Sequence, residues 1–270
     1  MRELLQDRVV LVSGGTQGVG AAVARAALRE GARVVVTGRR ADVGSAAADE
    51  LAREHGSHRV EFVQTDLADV DQARASVTAT VERFGRVDGL VNAAGLTSRG
   101  SLLDTTPELL QQHLSVNLVA PFFTMQAAVE DMRRRGAPGT IVNVLTMSSH
   151  GGQPYLAPYV ASKAGLAGLT RNAAYAHRFD RIRINGLNIG WTETPGEDEV
   201  QRRFHGAQDG WLEEASAALP MGKLGQVDEI ADMVVYLLSD RSGVVTGSVI
   251  DWDQTVPGAH DCPPGAHPAR

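Results

Sequence analysis

Short apolar runs alternate with helix-forming stretches along almost the whole chain. The first runs cover residues 9–12, 34–36, 60–63 and 87–91. They are apolar on both faces of the strand, as is typical of strands that helices cover on both sides. Parallel strands need long, right-handed crossovers, which the helices between the runs would supply. The pattern therefore predicts an α/β fold, a doubly wound domain with a mostly parallel sheet.

The second half of the chain continues the alternation. Further strands are predicted at residues 141–144, from residue 182 onwards, and at 248–250, so the sheet has seven strands. Helices are predicted over residues 106–135, 155–178 and 228–238. Residues 197–219 are polar with helical spacing of their apolar side chains. No linker rich in proline or serine divides the chain before residue 256, so we expect one domain over residues 1–255 and an irregular Pro/Gly-rich C-terminal tail over 256–270.

Composition excludes several classes of protein. The single cysteine, Cys262, cannot form an internal disulfide, and no spacing of His, Cys, Asp or Glu indicates a metal site. With 26 basic and 32 acidic residues the net charge is −6, which argues against a nucleic-acid partner. No signal peptide or apolar run of membrane-spanning length is seen. We therefore expect a cytoplasmic protein that acts on a small molecule, without a membrane partner.

A glycine-rich turn follows the first predicted strand. Gly14, Gly18 and Gly20 have the spacing G-x-x-x-G-x-G, and the helix that follows would offer free N–H groups to an anion. Glycine lets the backbone approach a pyrophosphate closely. The turn therefore predicts a nucleotide site that includes Thr16, Gln17 and Val19, although ordinary strand–helix turns use glycine too.

The second predicted strand ends in basic residues. An acid at this position would bind the adenosine ribose and favour NAD, but Arg39 and Arg40 stand there and the first acid is Asp42. A guanidinium suits the additional 2′-phosphate of NADP. The sequence therefore favours NADP and leaves NAD open. Two solvated arginines at the start of a loop are the alternative interpretation.

Tyr159 and Lys163 lie one turn apart on a predicted helix. A phenol has a pKa of about 10, so acid–base chemistry at neutral pH requires a lower pKa, which a nearby positive charge favours. Such pairs also arise by chance, so this spacing alone does not establish an active site.

Taken together, the motifs resemble the short-chain dehydrogenase/reductase family over residues 7–255. Besides the glycine turn and the Tyr–Lys pair, the matching positions are Asp66, Leu67, Asn92, Ala93, Ala94, Gly95, Asn117, Asn185, Gly190 and Thr194. The resemblance implies a Rossmann-type fold and an enzyme that transfers a hydride between a nicotinamide cofactor and an alcohol or carbonyl compound. It also implies a homo-oligomer, a tetramer or a dimer.

The resemblance also implies a role for each matching residue. Tyr159 would be the general acid or base, and Lys163 would lower its pKa and hold the nicotinamide ribose. Asn117 would distort its helix and hold a water that relays protons. The cofactor would meet Asp66 and Leu67 at the adenine, residues 92–95 along the cleft, and Thr192 and Thr194 near the nicotinamide.

Four positions depart from the family pattern, and the one at Thr146 matters most; the others are Ala93 in place of an asparagine, Ile189 in place of a proline, and Gln17 where some NADP-preferring members have a basic residue. The family has a carbonyl-polarising serine thirteen residues before the tyrosine, where this chain has Thr146. Threonine keeps the hydroxyl donor, so Thr146 is the expected fourth catalytic residue, with Ser148 as the alternative.

The sequence leaves more than one interpretation open for the substrate and for the activity. Residues 193–224 are expected to cover the substrate, and their many charges favour a small polar compound such as a sugar or polyol, unless those charges only form a solvated helix face. His150, Tyr155 and Trp191 are candidates for the mouth of the pocket. A degenerate nucleotide-binding sensor or scaffold protein is the second hypothesis, and a dehydratase or epimerase that uses the same tyrosine is the third.

Overall fold

The computed structural model describes residues 3–257, whose strands form one sheet of seven parallel strands in the order β3-β2-β1-β4-β5-β6-β7. The strands are β1 (Val9–Ser13), β2 (Arg33–Gly38), β3 (Val60–Gln64), β4 (Gly89–Asn92), β5 (Gly139–Thr146), β6 (Ile182–Ile189) and β7 (Val249–Trp252). The predicted Rossmann-type fold class is therefore confirmed, and every pairing between neighbouring strands is parallel.

Helices cover both faces of the sheet. They are α1 (Gly18–Arg29), α2 (Ala41–His55), α3 (Val70–Phe84), α4 (Pro107–Leu114), α5 (Ala120–Arg134), α6 (Ala157–His177), α7 (Pro195–His205), α8 (Trp211–Ala218) and α9 (Val227–Leu238). On one face α1 and α9 pack against Val10, Val12 and Val142. On the other face α3, α5 and α6 enclose a second core with Leu11 and Ile141. This double cover explains why the central strands are apolar on both faces.

Two predicted helical segments are divided in the structure. The segment over residues 106–135 begins as expected, with the Thr106 side chain accepting from Leu109 N at 3.2 Å, but it widens into π-helical turns at Ser115–Val119 before α5. The segment over residues 197–219 breaks at Gly206 and Gly210, whose φ angles of 66° and 88° lie in the left-handed region. This break separates α7 from α8.

The direction of the chain reverses across the sheet beside β1, which lies between β2 and β4. Loops diverge at such a switch point, so a crevice opens at the carboxyl ends of the strands. The fold thus brings the glycine turn, Arg39, Asp66 and Thr146 to one edge of the sheet.

The chain after β7 has no further helix or strand up to residue 257. The rest of the predicted tail, with Cys262, lies outside the described residues. Within residues 3–257, no helix is both long and apolar enough to cross a membrane.

Candidate active site

A cleft of about 1640 Å³ lies at this edge of the sheet. Its floor is formed by the glycine turn and by the loops after β2, β3, β4 and β5, and α7 borders its outer end. The volume and the extended shape suit a dinucleotide together with a small second molecule.

The glycine turn leaves its backbone exposed to this cleft. A Cβ atom on Gly20 would lie 2.2 Å from the carbonyl oxygen of Gly14, and one on Gly14, whose φ is +74°, would lie 2.7 Å from the Ala94 Cα. The N-cap residue of α1, Gln17, makes no side-chain capping hydrogen bond. The first-turn N–H groups of α1 therefore have no capping side chain, which fits a bound pyrophosphate.

The remaining residues predicted for the adenosine end also line the cleft: Thr16, Gln17, Gly18, Val19, Arg39, Asp66 and Leu67. Arg40 joins them, and its Nη2 donates to Gln17 Oε1 at 2.9 Å. The Arg39 side chain is exposed at the end of β2. The cleft therefore has a cationic end that fits the 2′-phosphate of NADP.

Of the predicted wall at residues 92–95, Ala93, Ala94 and Gly95 line the cleft, whereas the Asn92 side chain lies inside the protein. The buried Asn92 side chain donates to Asn143 Oδ1 at 2.8 Å and accepts from Thr124 Oγ1 at 2.8 Å. Side chains alternate between the two faces of a strand, and that of Asn92 points into the sheet–helix layer. Asn92 therefore fixes the end of β4 from inside the protein.

Tyr159, Thr146 and Lys163 meet at the inner end of the cleft, which all three line. Lys163 is only 3% exposed, and its Nζ donates to the carbonyl oxygen of Val144 at 2.8 Å. A hydrogen bond with Thr146 lowers the pKa of the Tyr159 phenol, but burial dominates and raises this pKa to about 12. Burial lowers the pKa of the Lys163 ammonium to about 8.

These pKa directions differ from the sequence-based expectation for the tyrosine. A positive charge next to the phenol was expected to lower its pKa, yet burial acts more strongly in the protein without cofactor. Tyr159 is therefore a neutral phenol at pH 7, which is the form that can donate a proton.

Asn117 lies at the centre of the π-helical turns and is fully buried. Its Oδ1 accepts from Leu96 N at 2.8 Å, and its Nδ2 donates to Leu96 O at 3.0 Å and to Ser162 Oγ at 3.0 Å. It does not line the cleft, but it ties the loop after β4 to the turn of α6 that carries Lys163. A local widening of a helix is frequent at functional sites.

Thr192 and Thr194 line the outer part of the cleft. Thr192 Oγ1 donates to Gly190 O at 2.9 Å, and Thr194 Oγ1 caps α7 by accepting from Glu197 N at 3.0 Å. A Cβ on Gly18 would lie 3.6 Å from the Thr194 methyl group. The base of α7 is therefore next to the glycine turn, across the path of a bound cofactor.

Few of the charges in residues 193–224 face the cleft. Of the nine charged or titratable residues at positions 197, 198, 199, 202, 203, 205, 209, 213 and 214, only Glu197 and His205 line it. Asp198 pairs instead with Arg202 at 3.0 Å and accepts from Trp211 Nε1 at 2.7 Å. Most of these charges therefore belong to the outer face of α7 and α8, as the alternative interpretation held.

His150, Tyr155 and Trp191 line the mouth as the sequence suggested, but the sequence reasoning missed Arg99. Arg99 lies in the loop after β4, four residues beyond the motif that ends at Gly95, and its Nη2 lies 2.9 Å from Nε2 of His205, which is 106 positions away. No signal in a single sequence links two such distant residues.

Comparisons with known proteins agree with this geometry. The sequence model of a family described as enoyl-(acyl carrier protein) reductase matches residues 14–255. An NADP-dependent (R)-specific alcohol dehydrogenase from Lentilactobacillus kefiri is 35% identical over 94% of this chain and 99% of its own length. An L-rhamnose 1-dehydrogenase (NAD(P)(+)) from Azotobacter vinelandii is 36% identical, with 91% and 94% covered. The crystal structure of levodione reductase superimposes with a TM-score of 0.86 at 31% identity, covering 93% of this chain and 97% of that one.

Proposed function

The chain belongs to the short-chain dehydrogenase/reductase family of NAD(P)-dependent oxidoreductases, and from that premise we propose that it transfers a hydride between NADP and a small polar alcohol or carbonyl compound. One observation carries the proposal. A cleft that begins at an uncapped helix N-terminus and an exposed arginine ends at a half-buried tyrosine and a buried threonine, with a buried lysine one helical turn after the tyrosine. The names of the two relatives, an alcohol and a sugar dehydrogenase, support this substrate class.

Different residues of the cleft would bind different parts of the cofactor. The turn at Gly14–Gly20 and Arg39 would hold its phosphates, and Lys163 and Thr194, which line the cleft, would hold its nicotinamide half. When bound, a nicotinamide would supply the hydride from its reduced ring or accept it on its oxidised ring, whose positive charge the hydride neutralises. The chain itself supplies binding, orientation and the proton.

The proton is assigned to Tyr159. As a carbonyl is reduced, its oxygen becomes negative, and a neutral phenol next to Thr146 can protonate it. The Thr146 hydroxyl would donate a second hydrogen bond to that oxygen. The Lys163 ammonium lines the same cleft one helical turn after Tyr159 and would stabilise the phenolate that remains. The side chain of Asn117 already makes three hydrogen bonds, to Leu96 and Ser162, and acts as a positioning residue for Lys163.

Thr146, rather than Ser148, is assigned to polarise the carbonyl. The Ser148 hydroxyl donates its proton to Gln153 Oε1 at 2.5 Å, whereas the Thr146 hydroxyl donates a longer bond, of 3.2 Å, to Ser148 Oγ and also lowers the pKa of the Tyr159 phenol. We expect Thr146→Val to lower kcat/KM by about 100-fold, and Thr146→Ser and Ser148→Ala to cost less than about fivefold. Steady-state kinetics of the three variants check this. A large loss in Ser148→Ala with little loss in Thr146→Val would reverse the assignment.

Arg39 is assigned to the 2′-phosphate of NADP. We expect Arg39→Ser to weaken NADPH binding by about 10- to 100-fold, because it removes a charge-assisted contact, and to leave NADH binding nearly unchanged. Calorimetric titration with both cofactors measures this. Arg53→Ser is the matched control, since Arg53 is an exposed arginine of α2 that does not line the cleft. Equal losses for NADPH and NADH in Arg39→Ser would contradict the assignment.

The cytoplasmic location and the homo-oligomer remain part of the proposal. Phe122 on α5, Tyr175 on α6 and Phe179 after α6 expose apolar side chains, of which Phe179 is 86% exposed. Exposed apolar surface of this kind supports self-association.

The activity is tested with purified protein, NADPH or NADH, and a panel of small ketones, aldehydes and keto sugars, followed by nicotinamide absorbance. We expect oxidation of NADPH with at least one polar carbonyl compound. Tight cofactor binding without turnover of any compound would favour a sensor or scaffold protein.

A further inference from the structure

Arg99 lies in the loop after β4 and lines the substrate end of the cleft. Its Nη1 donates to Thr97 O at 3.0 Å, and its Nη2 donates to His205 Nε2 at 2.9 Å. Its guanidinium carbon lies 5.4 Å from the ring centre of Tyr155 and 5.8 Å from that of Phe204. The loop, the start of α6 and the end of α7 therefore hold this side chain in one place.

Arg99 makes no ion pair with a carboxylate within residues 3–257, although Glu197 lines the same cleft, where it accepts from Trp191 and Gln201. None of its hydrogen bonds goes to a carboxylate: they go to a carbonyl oxygen and to an imidazole nitrogen, which must be unprotonated because arginine can only donate. Its Nε is buried and has no hydrogen-bond partner. A guanidinium offers five N–H donors, so most of these donors remain unused. A partly desolvated cation with spare donors is costly unless a ligand completes it.

The other cations of the cleft are committed elsewhere. Arg39 and Arg40 lie at the adenosine end, and Lys163 donates to the Val144 carbonyl oxygen. At the substrate end, the planar and singly charged guanidinium of Arg99 lies next to the rings of Tyr155 and Phe204. A carboxylate matches it in charge and geometry, whereas a phosphate monoester carries close to two charges and would need a second cation.

We propose that Arg99 binds a carboxylate of the substrate, so that the enzyme acts on small hydroxy acids and oxo acids. This inference rests on the proposed function and narrows its substrate class. Arg99 and Tyr159 line the same cleft, and Gly100, which follows Arg99, exchanges backbone hydrogen bonds of 2.9 Å with Tyr155 and Ala157 at the start of the helix that carries Tyr159. A short molecule can thus bring its carboxylate to Arg99 and its reacting carbonyl to Tyr159.

A kinetic comparison tests the inference. Acetoacetate and levulinate are reduced with NADPH beside their methyl esters, which keep the ketone and lose the charge. We expect kcat/KM for the acids to exceed that for the esters by about 10-fold or more, and Arg99→Met to abolish this preference while changing the values for the esters far less. His205→Gln is the matched control, because it alters the contact of Arg99 with α7 and keeps the charge. It should retain the preference for the acids.

The competing explanation is that Arg99 only fixes α7. In that case Arg99→Met and His205→Gln would lower kcat/KM for acids and esters alike, and the inference would be wrong. Esters reduced as well as the acids by the unaltered enzyme would also overturn it.

Binding is measured separately from turnover. Cyclohexanecarboxylate and its uncharged amide are titrated calorimetrically into the protein saturated with NADP⁺. We expect the carboxylate to bind about 10-fold or more tightly than the amide, and this difference to vanish in Arg99→Met. Equal affinities would overturn the inference. A carboxylate preference in binding without reduction of any ketone would support the Arg99 site and refute the proposed hydride transfer.

Discussion

Tyr159→Phe should lower kcat by about 1000-fold and leave the affinity for NADPH nearly unchanged. The substitution removes only the phenolic oxygen, and with it the group that protonates the carbonyl oxygen during reduction. Because burial raises the pKa of Tyr159 to about 12, the phenol is protonated across the physiological range and ready to act as an acid. The ring stays in place, so packing and cofactor binding should persist.

The measurement is single-turnover reduction under saturating NADPH, combined with calorimetry of cofactor binding. Tyr175→Phe is the matched control: Tyr175 belongs to the same helix, is 69% exposed and does not line the cleft. It should leave kcat unchanged. More than about one tenth of the activity surviving in Tyr159→Phe would mean that another group supplies the proton.

Lys163→Met should abolish most of the activity and stabilise the protein at pH 7. Burial lowers the pKa of the Lys163 ammonium from its ordinary value of 10.5 to about 8. At pH 7 the buried positive charge therefore destabilises the folded state relative to the unfolded state. This difference corresponds to about 3 kcal/mol. The substitution also removes the hydrogen bond from Lys163 to the Val144 carbonyl oxygen, and this loss costs about 1 kcal/mol of the gained stability. A net gain of about 2 kcal/mol in the free energy of unfolding is expected.

The pH dependence of this gain identifies its cause. The gain should be largest below pH 8, where Lys163 of the unsubstituted protein is charged in both the folded and the unfolded state. Between pH 8 and 10.5 Lys163 is protonated in the unfolded chain but has lost its proton in the folded protein. The free energy of unfolding of the unsubstituted protein therefore rises with pH, and its difference from that of Lys163→Met becomes smaller. Urea unfolding of both proteins at several pH values measures it.

The chain provides its own control, because its only other lysine is Lys223. Lys223 has a half-exposed side chain paired with Glu229 and does not line the cleft. Lys223→Met should change the free energy of unfolding by less than about 0.5 kcal/mol at any of these pH values. If Lys163→Met were as stable as the native protein, or less stable, the burial of a charged lysine at this position would be refuted.

The fold class and most helices and strands could be predicted from the sequence because they depend on local residue patterns. Strands buried on both faces, the glycine turn and the cap at Thr106 each depend on a few neighbouring residues, and the long crossovers between strands predict a parallel sheet. The positions of Thr146, Tyr159 and Lys163 at one end of the cleft follow from the register of β5 and α6.

The parts that escaped prediction depend on contacts between distant segments. Asn92 turns inward because Asn143 on the neighbouring strand meets it there. The pKa of Tyr159 moves up because burial outweighs any charge, and burial is not visible in a Tyr–Lys spacing. Arg99 gains its place only when α7 returns to the loop after β4. Substrate recognition is thus the part of the site that local sequence patterns reveal least.

Transfer of isotope from the cofactor tests the central claim most directly. The protein is incubated with a ketone and NADPH that carries deuterium at the transferable position of its nicotinamide ring, and the product alcohol is analysed by mass spectrometry. Hydride transfer predicts one deuterium on the carbinol carbon of the product, formed at a rate that Tyr159→Phe reduces by about 1000-fold. Bound NADPH that retains its deuterium in the presence of every ketone tested would contradict it.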